Sequence, residues 1–407
     1  MKKVGFVIGL VVILVGVILF YPKSDNQKIL VEDNQFNQNT SLAFYLEDED
    51  GNYSQTNTLP STGYTLNTSK SVCSNGTIPT WEDNKLYFNN LTKNGTSCYL
   101  YFDQKPKASD TIIADNPLGS GMPNFANTSC SNGCNEATNG LYVGEDNDGT
   151  TYYFRGTVDN NWVKFAGYYW RIIRINGDGS VRIIYNGPNI NQTGDGTQIG
   201  ISAFNEYYDS EYAGYMFTLS QTHGTEQSSI IKTYLDNWYV TNLTNYDDKI
   251  DNNAGFCGDR EIQSGTGIGA EETFFSPYER LYNSKNPTFK CQNELDFYTG
   301  NNSSKGNKAL QYPIGLISAD EVAYAGGVYG VNNYGFYLYT TMNYWTMTPN
   351  AKTGGNLINF IVYSGGSLNA GYIYREIDVR PVINLRSDVV FTGSGTASDP
   401  YVVEGAE

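Results

Sequence analysis

Residues 343–385 read NYWTMTPNAKTGGNLINFIVYSGGSLNAGYIYREIDVRPVINL, and no other stretch restricts the fold as tightly. Tyr344, Trp345 and Met347 open an apolar run that stops at Pro349. Residues 357–363 form a second run, and Ser364-Gly365-Gly366-Ser367 supplies a turn before a third run starts at Leu368. Residues 379–385 close the stretch. β-Branched and aromatic residues bounded by Gly, Ser and Asn read as strands and hairpins. Between the apolar anchors sit Asn350, Lys352, Asn356, Asn359, Asn369, Tyr372, Tyr374 and Arg375. These side chains hydrogen-bond or stack without being reactive. They are the candidate ligand-binding set, carried on a rigid sheet.

The N-terminus sets the compartment. Lys2 and Lys3 precede an unbroken apolar run over residues 4–20, close to the lower limit of the roughly 17–25 residues that cross a bilayer. Tyr21 and Pro22-Lys23 end it, and no small-residue cleavage site follows closely. The pattern predicts a single-pass signal anchor over 1–23, not a removed signal peptide. Lys2, Lys3 and the amino terminus outnumber Lys23, so the N-terminus faces the cytoplasm and the bulk of the chain is extracellular.

Cysteine usage agrees with export. The six cysteines fall into three sequence-local pairs, predicting the disulfides Cys73–Cys98, Cys130–Cys134 and Cys257–Cys291. A zinc site at Cys130 and Cys134 lacks the further Cys or His ligands that zinc needs. The acidic turns Asp48-Glu49-Asp50-Gly51 and Glu145-Asp146-Asn147-Asp148-Gly149 miss the ligand spacing of a calcium loop. No metal or cofactor is expected. The net charge of −16 disfavours nucleic acid, whose phosphates need a basic face.

In order, the chain divides into the anchor 1–23, a polar stalk 24–39, a small β module 40–103, a linker 104–109, a main domain 110–390 and a tail 391–407. Trp81 reads as a core aromatic of the small module. In the main domain, residues 168–175 and 180–185 flank Asn176-Gly177-Asp178-Gly179, a hairpin signal. Arg171, Arg174 and Arg182 become strand charges that pair with nearby carboxylates. Residues 228–243 place Ile231, Leu235, Trp238 and Tyr239 on one helical stripe. Ser318 and Glu321 fit a capping box. The irregular region 250–312 needs the 257–291 disulfide as a staple.

Several motifs together carry a resemblance: Trp170-Arg171-Ile172-Ile173, the 315–322 segment Gly-Leu-Ile-Ser-Ala-Asp-Glu-Val, the 344–349 segment Tyr-Trp-Thr-Met-Thr-Pro, and the 379–385 segment Val-Arg-Pro-Val-Ile-Asn-Leu. Over about residues 110–386 the chain resembles bacterial surface proteins related to the formylglycine-generating-enzyme branch of the C-type-lectin-like fold. The resemblance implies an α+β fold, with a C-type-lectin-like domain preceded by an N-terminal transmembrane helix and a small β-rich module. The enzymatic branch uses a late pair of cysteines, and nothing after Cys291 is Cys. The calcium-dependent sugar site needs a Trp-Asn-Asp strand, and Trp345 is followed by Thr346 and Met347. The ligand-displaying branch fits better.

Catalytic signals are sparse. The single histidine, His223, has no nucleophile-elbow motif beside it. Glu271-Glu272 lies in an irregular loop. The expectation is therefore a membrane-anchored extracellular ligand-binding protein, of adhesin or receptor type, with a cell-surface protein or glycan as partner. An envelope enzyme acting on carbohydrate or peptidoglycan, and a purely structural envelope protein, are the alternatives.

Overall fold

The structure is a computed structural model that describes residues 29–30, 40–60, 62–82, 84–88 and 96–407. The expected anchor over 1–23 and most of the stalk lie outside the described residues. Among the described residues, no helix is long and apolar enough to cross a membrane. The chain forms two compact units, 1–104 and 105–407.

In the first unit, strands Tyr53–Thr56, Thr40–Glu47, Thr96–Gln104 and Tyr64–Leu66 line up in that order, and Val72–Cys73 also pairs with Thr96–Gln104. The two long central strands run parallel, with Phe44 opposite Leu100 and Leu46 opposite Phe102. Alternation sends Phe44, Cys98, Leu100 and Phe102 to a buried face. Trp81 packs edge-on against Phe102 and donates its indole N–H to the Tyr64 carbonyl, so its one polar atom is satisfied. Cys73 pairs with Cys98 across neighbouring strands.

The second unit holds two larger sheets. In one, Val382–Leu385, Val181–Tyr185, Tyr168–Ile175, Trp162–Phe165, Tyr401–Val403 and Phe391–Thr392 are successive neighbours. Thr150–Arg155 pairs with Tyr168–Ile175 and with Gly140–Glu145. The Asn176-Gly177-Asp178-Gly179 hairpin forms as the sequence requires. In the other, Tyr344–Thr353 is central. It pairs with Asn356–Val362 on one side and with Thr273–Phe275 on the other. Leu368–Tyr372 then adds to Asn356–Val362. Residues 343–385 thus feed both sheets, because Val382–Leu385 returns to pair with Val181–Tyr185.

Helices are few. Ile230–Asn242 is capped by the Ser229 hydroxyl, which accepts from the Lys232 N–H, and it buries Ile231, Leu235 and Tyr239. Ala319–Ala325 carries the full capping box of Ser318 and Glu321 and ends at Gly326, whose φ of 117° suits glycine alone. Ala108–Asp115 is a third helix, where the sequence suggested the end of a linker.

These proportions correct the expected fold class. The structure is 34% strand and 15% helix, spread over several sheets, so it is mainly β and not the α+β fold with a C-type-lectin-like domain. The physical reason is legible in the segments. Among the described residues no α-helix apart from Ile230–Asn242 exceeds eight residues, whereas runs of Tyr, Ile, Val and Thr between glycine turns build strands. Two local expectations also change. The run opened by Tyr344 does not stop at Pro349 but continues to Thr353, because Pro349 sits opposite Asn359 at a register shift, where the ladder needs no N–H. The hairpin then turns at Gly354 and Gly355, whose φ values of 57° and 79° match a two-residue turn. Residues 391–407 are not a loose tail, since two of their segments are strands of the larger sheet.

All three expected disulfides form: Cys73–Cys98, Cys130–Cys134 and Cys257–Cys291. No cysteine among the described residues is free.

Candidate ligand-binding site

The residues after strand Leu368–Tyr372 meet a loop from far earlier in the chain. The N–H groups of Phe204 and Asn205 both donate to the Ile373 carbonyl, at 2.8 and 3.1 Å. The Asn359 amide donates to the Ala213 carbonyl at 3.2 Å, and the Arg375 N–H closes a turn onto the Tyr372 carbonyl at 3.0 Å. The bonds of Phe204, Asn205 and Asn359, all buried residues, fix the 204–213 segment beside residues 359 and 373.

A cluster of rings results. Tyr372 and Tyr374 are stacked, with centroids 5.5 Å apart and planes 3° from parallel. The ring of Tyr208 meets Tyr374 edge-on at 5.5 Å, and the Arg375 guanidinium lies over Tyr372 at 5.1 Å. Tyr207 packs on Tyr212 at 4.8 Å, and Tyr212 on Phe217 at 4.7 Å. Tyr207, Tyr208 and Tyr374 are 51%, 47% and 40% exposed, so the cluster faces solvent. Hydrogen bonding to Glu206 raises the Tyr207 pKa. Each tyrosine has only two side-chain torsions to order, and several are already held by a neighbouring ring. The surface therefore offers large amphipathic area at low entropy cost.

The candidate residues divide between the two faces of the sheet. Tyr372 is opposite Ile358, and both project to one face, along with Asn356. Asn359 is opposite Gly371, and Asn369 is opposite Ile361, on the other face. Asn350, Lys352 and Asn359 are buried, at 1%, 4% and 0% exposure. Asn369 is half-buried, and its amide oxygen accepts from the Ala370 N–H at 2.8 Å on the outermost strand. The structure thus brings together Tyr372, Tyr374 and Arg375. It does not bring Asn350, Lys352, Asn359 or Asn369 to them. It adds Tyr207, Tyr208 and Tyr212, which the sequence reading passed over. Their signal was a run of tyrosines in a segment with no strand or helix period.

A second concentration of polar groups is built from buried ion pairs. Glu321 is buried, forms an ion pair with Arg182 at 2.6 Å and accepts from Arg174 at 3.2 Å, while Arg174 also reaches Asp146 at 2.6 Å. These two arginines hold the Glu321 carboxyl below the usual range despite its burial. Arg171 instead bonds the Asn161 amide and the Val158 carbonyl and covers the Trp162 ring. Arg280 bridges Asp259 and Asp320. Burial pushes the Asp259 carboxyl up to about 6, and Asp259 lines a cavity of about 30 Å³ beside Cys257 and Cys291. That volume holds about two waters. His223 Nδ1 donates to the Asp296 carboxylate at 3.0 Å, and Asp296 is fixed by Arg260. Among the described residues no group of three His, Cys, Asp or Glu side chains is placed to hold a metal ion.

No protein-family model matches this chain, and neither a curated protein nor a solved structure does.

Proposed function

We propose that this chain is an extracellular ligand-binding protein, tethered to the cell membrane by its N-terminal segment, whose partner docks on the tyrosine cluster. The observation that carries the reading is the ordered column Arg375, Tyr372, Tyr374, Tyr208. Tyr and Arg dominate the energetics of recognition surfaces because they bury apolar area and keep a polar end. The three disulfides support export, since such bonds persist in oxidising compartments. The partner is a cell-surface protein or glycan. Binding of the full chain to protein and glycan arrays, with and without Tyr208, Tyr372 and Tyr374 changed to Ala, tests it. A ligand retained by the triple variant removes the cluster from the account.

One observation favours a second reading, an envelope hydrolase. Asp259, with its carboxyl raised to about 6, lines the cavity beside Asp320 and Glu321. Raised carboxyls of this kind serve as general acids. Turnover of peptidoglycan or wall glycan that Asp259→Asn abolishes would establish it, and its absence in the native protein would remove it.

A further inference from the structure

The N-terminal module carries its own unexplained surface. A small sheet with one buried face ordinarily turns polar residues outward. Here the outward positions of the two central strands are Ala43, Tyr45 and Glu47, and Tyr99, Tyr101 and Asp103. The register places Tyr45 directly opposite Tyr101, Ala43 opposite Tyr99, and Glu47 opposite Tyr53 of the neighbouring strand. Val72 extends the row beyond Tyr99.

The rings form one connected surface. Tyr45 stacks on Tyr101 with centroids 4.6 Å apart, Tyr53 meets Tyr101 edge-on at 5.3 Å, and Tyr99 tilts against Tyr45 at 6.5 Å. The methyl of Ala43 is too small to cover the ring opposite it, and Tyr99 stays 50% exposed beside Val72 at 55%. At the other end the surface is pinned. The Tyr53 hydroxyl donates to Asp103, the Asn67 amide donates to the same carboxylate at 2.9 and 3.0 Å, and the Lys70 ammonium lies over the Tyr53 ring at 4.0 Å. Cross-strand ring pairs stabilise a sheet, and that role accounts for Tyr45 and Tyr101. It does not account for Tyr99 and Val72, which leave half their surface in water.

We infer that this face is a second binding surface, independent of the tyrosine cluster of the larger unit, and that it takes a neutral chain of pyranose sugars. The ring of Tyr99 offers a negative π face to the polarised C–H groups on one side of a pyranose. The acceptors at the border, Glu47, Gln55 and Asp103, meet sugar hydroxyls, and carboxylates have lone pairs to spare beyond the bonds they already make. Charge decides the class. Carboxylates border the rings on a chain of net charge −16, so a polyanionic glycan or an acidic peptide is repelled. Three strand spacings, about 14 Å in all, separate Tyr53 from Val72 across the sheet, enough for a short run of sugars and not for a broad protein interface.

The test is calorimetric binding of the full chain, in detergent, to soluble β-linked glucan and chitin oligosaccharides. Heparin serves as the anionic control. Binding of a neutral oligosaccharide is expected. It should weaken about ten-fold in Tyr99→Thr, a residue that suits a strand, and persist in Tyr99→Phe. It should be unchanged in Tyr374→Ala, which separates this surface from the larger unit's cluster. The inference is overturned by no binding to either neutral oligosaccharide, by preference for heparin, by binding that Tyr99→Thr leaves intact, or by loss in Tyr374→Ala. Self-association that Tyr99→Thr abolishes, without glycan binding, would overturn it in favour of a second copy of the chain.

Discussion

Tyr372 and Tyr374, two residues apart, hold their rings parallel to within 3° at a centroid separation of 5.5 Å. The strand ends at Tyr372, and Tyr374 lies in the turn that the Arg375 N–H closes onto the Tyr372 carbonyl, so the turn rather than strand alternation sets the pair. Tyr208 and Arg375 complete it from a distant loop and an adjacent turn. Because Tyr374 is 40% exposed, little of the fold depends on it. Tyr374→Ala should change unfolding free energy by no more than about 0.5 kcal/mol, the usual range for surface substitutions. The check is urea denaturation. A loss several-fold larger would make the column structural.

Glu321 should behave in the opposite way. It is buried between Arg174 and Arg182 and also caps a helix. Glu321→Gln leaves the buried Arg182 without a counter-charge, while Arg174 keeps Asp146, at a cost of about 3–5 kcal/mol. Its carboxyl is held below the ordinary range, so its contribution is complete above the unfolded value, near 4.3, and is lost as pH falls through the lower folded value. Urea midpoints should therefore converge for native and Glu321→Gln protein on acidification below about pH 4.

His223 gives the reverse pH dependence. Its pKa is raised, chiefly by the hydrogen bond to Asp296. Its stabilisation is complete below the unfolded value of about 6.5 and vanishes as pH rises through the higher folded value. His223→Gln should cost more at pH 5.5 than at pH 9. Partial exposure and solvent screening keep the difference under about 1 kcal/mol. Equal costs at both pH values would exclude a charged His223 in the native state.

The disulfides should rank by loop length. Cys257–Cys291 closes a separation of 34 residues and Cys130–Cys134 one of 4. The loop-entropy relation gives about 3–4 kcal/mol for the first and about 2 for the second. Paired Cys→Ala variants should lower thermal midpoints in that order. The larger loss belongs to 257–291 because the region it closes contains only short strands and short helical turns.

Local chemistry was the most legible part of the sequence. The Asn176-Gly177-Asp178-Gly179 turn, the Ser318 capping box, the Ile231–Leu235–Tyr239 stripe and the three disulfides each follow from a few adjacent or regularly spaced residues. The fold class was less legible because short motifs say little about how many strands lie between them. The site was half legible for a related reason. Alternation identifies which residues share a face, but a bulge at Pro349 and unknown covering segments decide which face meets water. Asn350 and Asn359 are polar and buried, and the Asn359 amide donates to the Ala213 carbonyl. Tyr208 reaches Tyr374 only through a contact spanning more than 160 positions, which no periodicity encodes.

The most direct measurement is binding of the full chain to protein and glycan arrays, repeated with Tyr208, Tyr372 and Tyr374 all changed to Ala in a variant that still unfolds cooperatively. The account predicts a specific ligand whose affinity falls at least about ten-fold in the variant, the loss expected when two or more ring contacts are removed. A ligand bound equally by both proteins would contradict it.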